Sequence, residues 1–567
     1  LVEGGNRSEQ RIMTQQLKVV MAQLNLLVGD ITGNTDKVIE AARNAQHDGA
    51  DIIAFPELTL TGYPPEDLLF RPSLTLRIDR ALTRIRDQSL NIAMVIGHPL
   101  REQENLFNAL SVIKGCDVLA VYRKQRLPNY EVFDEQRYFS PGFSPCVVDI
   151  KGVPVGMTIC EDLWDEVPAA QASQAGARLL ININASPYHH GKESERIELL
   201  QARARQGNMP VVYVNLVGGQ DELVFDGRSL VVDANGEVQL IAAGFEESLQ
   251  QVGFKVGDTG RLTLEAETSP ASLPVNTPLP MEVACYQALV LGLRDYVEKN
   301  RFPGVVLGLS GGIDSALTLA IAVDALGPER VEAVMMPFEY TSTESLEFAQ
   351  AQAMRLGVSY KVIPILSCYK SFTEALAEEF AGFAVDVTEQ NLQARCRGVL
   401  LMAISNKKGS LVVTTGNKSE IAVGYSTLYG DMAGGFDVLK DVYKTFVYRL
   451  SRYRNSLAQE AGEAEVIPSG VIDRAPSAEL APGQRDEDSL LPYNRLDAIL
   501  SLYIEKDYSA DAIVAEGFPD DEVHRVLKLV DRNEYKRRQG PVGVRLTRKG
   551  FGRDRRYPIT NGWQPGE

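Results

Sequence analysis

The sequence predicts two α/β units in tandem, the second built on a doubly wound parallel sheet. Three observations carry this. At 567 residues the chain is longer than one ordinary domain, so two or more cores are expected. Short apolar runs of strand length alternate with amphipathic segments of helical period along almost all of it. The stretch "TSPASLPVNTPLPM" (268–281) has neither period, divides the chain near its middle and reads as an extended linker.

In the first unit the strand-like runs are "LKVVMAQL" (17–24), "DIIAFPEL" (51–58), "IAMVIGHPL" (92–100), "VLAVYRK" (118–124), "VPVGMTIC" (153–160), "LLININAS" (179–186) and "PVVYVNLVG" (210–218). Between the first two, "NTDKVIEAARNAQHDG" has a helical period, opens on a capping residue and ends at Gly49. "SLVVDANGEVQLI" (229–241) carries Asn-Gly between alternating apolar residues, a hairpin signal. The second unit opens with the amphipathic helix "MEVACYQALVLGLRDYVEKN" and the strand "GVVLGLS". "VEAVMMP" (331–337), "VSYKVIPI" (358–365) and "GSLVVTTGN" (409–417) repeat the strand–helix alternation. That order makes a parallel sheet with ligands at the C-terminal strand ends. The polar, proline-punctuated segment 474–492 is a candidate lid.

A formal net charge of −17 argues against a nucleic-acid or acidic-membrane partner, while leaving room for local basic sites that take small anions. No apolar run is long enough to span a bilayer. Residues 1–16 read as an N-terminal extension or a cloning remnant, with Met13 a candidate start. Six cysteines without CxxC spacing and five scattered histidines do not suggest a zinc site. Free thiols in a reducing compartment are expected, and the cytoplasm with them.

The chemistry begins at "SGGIDS" (310–315), between the strand Val305-Val306-Leu307 and the helical run "ALTLAIAVDAL". Glycines let several N–H groups face one point, and the helix start adds its positive end. A pyrophosphate can be held this way without lysine, and Asp314 is then free to hold Mg²⁺. A grip on the β- and γ-phosphates through backbone leaves the α-phosphate open to attack, which suits adenylation with pyrophosphate release. The competing explanation is a turn that needs glycine only for closeness; a six-residue run at a strand end weighs against it.

The run resembles the pyrophosphate loop of the ATP pyrophosphatases. Downstream, "TEQNLQARCRG" (388–398), "TTGNKSEIAVGYSTLYGDMAGG" (414–435), "KDVYKT" (440–445), "PSAELAPGQRDEDSL" (476–490) and "RNEYKRRQ" (532–539) look like the successive motifs of the NAD synthetase family. That resemblance implies ATP-dependent amidation of nicotinate adenine dinucleotide (deamido-NAD). It puts ATP on Gly308, Leu309, Ser310, Gly311, Gly312, Ile313, Asp314, Ser315, Thr415 and Lys444. It puts Mg²⁺ on Asp314 and Glu420, an exposed Asp/Glu pair on two strand ends that suits a hard cation, and the dinucleotide on Asn391, Glu420 and Lys536. One departure is Leu428 in "LYGDMAGGFD", where simpler ammonia-dependent members resemble "KYGDGGAD".

Amidation needs NH₃, which at neutral pH is mostly NH₄⁺ and a poor nucleophile; a second site that releases it from glutamine would solve this. Glu57, Lys124 and Cys160 each follow a strand-like run, so they can converge at one sheet edge. A thiolate can attack an amide, a carboxylate can carry the proton, and an ammonium can stabilise the oxyanion. A cysteine closing an apolar strand is more often a buried thiol. However, "FPEL", "YRKQRLPNY" and "ICEDLW" resemble the Glu-Lys-Cys triad of the nitrilase superfamily, in its glutaminase branch fused to NAD synthetase. Many nitrilase relatives carry His two residues after the lysine, where this chain has Arg126. The resemblance implies an α-β-β-α sandwich and a glutamine site at Tyr130, Ser186 and Lys192. It divides the chain into a glutaminase unit at 17–267, a linker at 268–281, a synthetase unit at 282–545 and a tail at 546–567. It further implies glutamine, ATP and deamido-NAD as substrates and a homo-oligomer, an octamer rather than a dimer. Two other readings remain at this point: an amidotransferase acting on a different carboxylate or carbonyl acceptor, and a non-catalytic nitrogen or nucleotide sensor.

Overall fold

Alternate residues along the first strand serve two different cores. Leu17, Val19 and Met21 point into one apolar cluster, and Val20 and Ala22 into another. A strand buried on both faces therefore has to sit in a sheet covered on both sides. The computed structural model describes residues 16–257, 260–264, 278–477, 479–481, 483–488 and 490–563. Nearly all of the expected N-terminal extension and most of the expected linker lie outside the described residues.

The strands of the first unit are β1 (Gln16–Gln23), β2 (Ile52–Ala54), β3 (Ala93–Glu102), β4 (Asn105–Lys114), β5 (Asp117–Arg123), β6 (Cys146–Ile150), β7 (Val153–Ile159), β8 (Leu179–Asn184), β9 (Val211–Asn215), β10 (Val217–Gln220), β11 (Leu223–Asp226), β12 (Leu230–Val232), β13 (Val238–Ile241), β14 (Ser248–Val256) and β15 (Leu262–Leu264). One sheet has the order β15-β14-β1-β2-β3-β4-β5 and the other β13-β12-β9-β8-β7-β6. Between them lies a dry layer that includes Met21, Ile52, Val95, Met157, Ile181 and Val214. Helices Ile31–His47 and Pro72–Arg86 cover the outside of the first sheet, and Glu166–Gln174 and Lys192–Gly207 the outside of the second. The result is the α-β-β-α sandwich.

Two local expectations change and a third holds. The first helix starts at Ile31 rather than at Asn34, because the Asp30 side chain accepts from the Gly33 N–H and caps it there. The run 210–218 splits into β9 and β10, which belong to different sheets. The Asn-Gly hairpin forms as expected, with β12 and β13 antiparallel.

The second unit has six parallel strands: β16 (Val305–Gly308), β17 (Val331–Met335), β18 (Ser359–Val362), β19 (Leu411–Thr414), β20 (Phe436–Asp437) and β21 (Val542–Gly543). Their order, β18-β17-β16-β19-β20-β21, reverses between β16 and β19. A crevice opens at such a switch point, outside the carboxyl ends of the strands. Helices packed on Val305, Leu307 and Val413 cover one face, and Val306, Val334 and Val412 face a second cluster with Cys396 and Leu401.

The two units share a core. Tyr188, Val217 and Val224 of the first join Cys285, Leu289 and Leu293 of the second in one apolar cluster. Asp295 accepts from Asn25 Nδ2 (2.8 Å) and the Gly219 N–H (2.7 Å) across the seam. The Leu546 carbonyl accepts from the His190 N–H at 2.9 Å, and the Leu546 and Thr547 N–H groups donate to Asp441 at 2.8 and 2.7 Å. Asp441 also pairs with the fully buried Lys418 at 2.7 Å. Among the described residues, no helix is long and apolar enough to cross a membrane. All six cysteines are free, four of them buried.

Candidate active sites

Glu57, Lys124 and Cys160 meet at one end of the sandwich, but from two sheets rather than one edge. Glu57 follows β2 and Lys124 follows β5, both of the first sheet, while Cys160 follows β7 of the second. Cys160 has φ +43°, in the left-handed region where an L-residue is strained, and opens the short 3₁₀ turn Cys160–Leu163. Asp162 steadies that turn: its carboxylate accepts from the Ile159, Gln125 and Arg126 N–H groups and from the Tyr122 hydroxyl.

Lys124 is buried, its ammonium 2.6 Å from Glu57 and 2.9 Å from Glu135. Glu57 is itself fixed by Asn108 Nδ2 (2.7 Å) and the Ala185 N–H (3.1 Å). Burial alone would lower the Lys124 pKa; the carboxylates of Glu135 and Glu57 hold it well above its ordinary value instead. Burial, reinforced by Glu57 and opposed by Lys124, pushes the Cys160 thiol well up from its ordinary value. Burial also raises Glu135 to about 7, with Lys124 opposing and Glu57 reinforcing.

At this site Glu135 is a residue that sequence reasoning missed. It lies in "YEVFDEQR", beside Glu131 and Asp134, with no period to distinguish it. Its N–H donates to the Pro128 carbonyl, which folds the loop back onto Lys124, and the Tyr63 hydroxyl donates to it at 3.1 Å. We expect Glu135→Gln to lower glutamine hydrolysis about a hundredfold, by loosening the ammonium that would meet an oxyanion there, and to leave ammonium-driven synthesis unchanged. A glutaminase assay beside an ammonium-driven assay checks this, and an equal fall in both would contradict it.

Of the glutamine candidates, Tyr130 donates to Glu161 at 2.8 Å and is about half exposed beside the thiol turn. Ser186 is buried and held from both sides: its N–H donates to Asn215, and Arg196 reaches its hydroxyl (3.2 Å) and carbonyl (2.8 Å). Arg196 is fully buried and pairs with Asp226 at 2.7 Å. Lys192 opens the helix Lys192–Gly207, stacks its ammonium 3.9 Å from the Trp164 ring centroid and pairs with Glu195.

The second site lies at the switch point, in a cleft of about 460 Å³ lined by Ser310–Ser315, Asn391, Thr415, Glu420, Lys444 and Lys536. Gly311 needs to be glycine, since its φ is +83° and a Cβ would sit 2.4 Å from the Ser345 carbonyl oxygen. The helix Ile313–Leu326 starts with no side-chain cap, so its first N–H groups remain available to an anion. Leu309 and Ile313 bury their side chains, so any ligand meets their backbone. Gly308 and Leu309 also line an adjoining pocket of about 260 Å³ with Met336, Arg397 and Leu401.

Sequence reasoning treats Asp314 and Glu420 as an exposed pair. Both side chains are instead largely buried, and Lys444 lies between them, 2.9 Å from Glu420. Asn417 donates to Asp314 at 2.9 Å and, through its own oxygen, caps the helix that carries Glu420. Burial raises Glu420 to about 7, with Lys444 opposing and Asp314 and Asp486 reinforcing. Among the described residues no group of three or more His, Cys, Asp or Glu side chains could hold a metal alone. Two carboxylates sharing one ammonium still fit a hard cation that takes its remaining oxygens from phosphates and water. Asn391 accepts from the Thr427 hydroxyl at 2.9 Å, and Lys536 donates to the Gly424 and Ser426 carbonyls at 2.7 and 2.9 Å. Arg474, Ser477, Glu479 and Gln484, from the proline-punctuated segment, form one wall of the cleft.

Comparison with known proteins agrees with this two-site architecture. Residues 18–262 match the carbon-nitrogen hydrolase family and residues 285–540 the NAD synthase family. The glutamine-dependent NAD(+) synthetase of Acinetobacter baylyi is 48% identical over 552 residues, covering 97% of this chain and 99% of that protein. That of Thermotoga maritima is 47% identical, with 96% and 99% covered. The glutamine-dependent NAD+ synthetase from Acinetobacter baumannii, solved with ADP, superposes with a TM-score of 0.77 at 48% identity, covering 98% of this chain and 100% of that one. The Cytophaga hutchinsonii enzyme, at 21% identity and a TM-score of 0.82, shares the fold over 97% of this chain and 98% of that one. The chain belongs to the glutamine-dependent NAD(+) synthetases.

Proposed function

We propose that this chain converts deamido-NAD to NAD with ATP and glutamine, releasing AMP, pyrophosphate and glutamate. The observation that carries the reading is the pairing, in one chain, of a buried Glu-Lys-Cys constellation with a lysine-free glycine loop facing two carboxylates.

At the first site the Cys160 thiol gives its proton to Glu57 as Sγ attacks the glutamine carboxamide carbon, and Lys124 faces the oxyanion that forms. Glu57 returns the proton to the leaving nitrogen, and NH₃ departs from a Cys160 thioester. Water then attacks the thioester, Glu57 takes its proton, and glutamate leaves with the thiol restored. Tyr130, Ser186 and Lys192 would hold glutamine around this turn.

At the second site residues 308–315 and Thr415 would hold ATP, with Lys444 toward the phosphates, while Asn391, Glu420 and Lys536 hold the dinucleotide. The nicotinate carboxylate attacks the α-phosphorus and pyrophosphate leaves on the glycine loop. NH₃ then attacks the acyl carbon and displaces AMP. Mg²⁺ on Asp314 and Glu420 would supply positive charge against the phosphates. Asp437 suits the last proton: it is buried, raised by that burial to about 7, and its Oδ1 has no hydrogen-bond partner among the described residues.

The test is an HPLC assay for NAD from deamido-NAD, ATP, Mg²⁺ and glutamine. Product is expected, and its absence with both glutamine and ammonium would overturn the reading. The free cysteines suit a cytoplasmic enzyme. The assembly we infer is a homo-octamer in preference to a dimer, and light scattering that returns a monomer at micromolar concentration would reject both.

A further inference from the structure

Behind Glu420 the main cleft adjoins a small chamber of about 80 Å³, lined by Thr415, Asp431, Asp437 and Lys440 among others. It has room for a few molecules the size of water and none for a nucleotide. On the far side of Lys440 lies another cavity, of about 450 Å³, at the seam between the two units. Glu222 lines it from the first unit, and Lys440, Arg538, Arg553 and Arg556 from the second. Lys440 borders both cavities, and the chain from Gly540 to Val542 completes the wall between them.

A chain of side-chain contacts runs from the thiol site toward the seam cavity. Tyr63 donates to Glu135, and its ring packs edge-on to Phe225 at 6.1 Å. Phe225 belongs to β11, which starts immediately after Glu222.

The sign of the charge changes across Lys440. The outer cavity presents four cationic side chains against Glu222. The chamber presents Asp431, Asp437 and Glu420, with Lys440 and Arg537 in its wall. Arg553 is spoken for by Glu66 and Glu222, and Arg538 by Glu534. Lys440 Nζ instead donates to the Pro541 carbonyl, a neutral partner; burial lowers its pKa from the ordinary lysine value, and the carboxylates of Asp437, Glu222 and Asp441 oppose that and favour the ammonium.

We propose that Lys440 is a cation filter between the seam cavity and the amidation chamber: its ammonium turns back NH₄⁺ and other monovalent cations, and neutral NH₃ passes. This rests on reading the cleft at Glu420 as the amidation site. The chamber carboxylates would otherwise collect NH₄⁺ or K⁺, and the space meant for the nucleophile would fill with an ion that cannot attack. At the effective dielectric of a partly buried site, a cation about 6 Å from the Lys440 ammonium is disfavoured roughly a hundredfold.

The full chain is compared with Lys440→Met, which keeps the length and removes the charge, and Lys440→Arg, which keeps the charge. Ammonium-driven NAD synthesis is measured at one pH, with ionic strength held by NaCl or by KCl, K⁺ matching NH₄⁺ in size. The unsubstituted enzyme and K440R should run equally in both salts, while K440M should slow severalfold in KCl. Exchange of pyrophosphate into ATP in the presence of deamido-NAD involves no nitrogen and should be unchanged in K440M. The same salt response in all three enzymes overturns the filter, as does equal sensitivity of K440R. Loss of exchange in both variants also overturns it, by making Lys440 a residue of the fold. An unsubstituted enzyme that shows neither exchange nor NAD would instead bring down the functional reading, and the filter with it.

Discussion

Cys160→Ala should lose glutamine-driven NAD synthesis by more than about a thousandfold while keeping synthesis from a high concentration of ammonium at mildly alkaline pH. In the proposed mechanism the thiol is the nucleophile beside Glu57 and Lys124, so without it no thioester would form and glutamine would yield no NH₃. The adenylation cleft is built on a different sheet and does not use that sulfur. A purely structural thiol predicts something else. Its replacement would leave a small cavity costing on the order of 1 kcal/mol and would touch both activities alike. Measuring the two nitrogen sources side by side separates these outcomes, and equal loss or equal retention would refute the assignment. Glu57→Gln and Lys124→Ala should follow the same pattern, because their side chains form one buried pair at 2.6 Å.

Asp314→Asn gives the opposite profile. Synthesis should fall more than about a hundredfold with either nitrogen source, while glutamine hydrolysis persists. Asp314 lies at the first turn of the glycine-loop helix, bonded to Asn417 on one oxygen and to Lys444 on the other. Asparagine keeps the shape and removes the negative charge that suits a cation beside the phosphates. Lys444 is then left with Glu420 as its single anionic partner of the two. Near-normal synthesis by this variant would take Asp314 out of the site.

Strand ends and the glycine loop were legible in the sequence because both follow from local rules. An apolar run that stops at a polar residue marks where that residue emerges, which is how Glu57, Lys124 and Cys160 stand out. Glycines between a strand and a helix mark an anion cradle, which is how residues 308–315 stand out. What local rules do not carry is which sheet a strand joins. Cys160 therefore reaches the other two across the sandwich rather than along an edge.

Glu135 and Asp437 were hidden for related reasons. Glu135 sits in an acidic loop, and what selects it is the turn that brings it back to Lys124. Asp437 ends a strand of two residues, too short to show any period. The motif resemblance proposes Lys444 for the phosphates, but its position between Asp314 and Glu420 depends on residues 130 and 24 positions away. Long-range pairing of this kind leaves no mark on one stretch of chain.

The apolar cluster that joins Tyr188, Val217 and Val224 to Cys285, Leu289 and Leu293 has a thermodynamic consequence. A core with contributors from both halves cannot be dissolved in one half without exposing the other, so the halves melt together rather than as separable modules. A nucleotide that binds only the folded form then shifts the unfolding equilibrium of the entire polypeptide by mass action. Occupancy of the cleft at the parallel sheet thereby protects the distant thiol turn from global unfolding, with no movement needed to carry the effect.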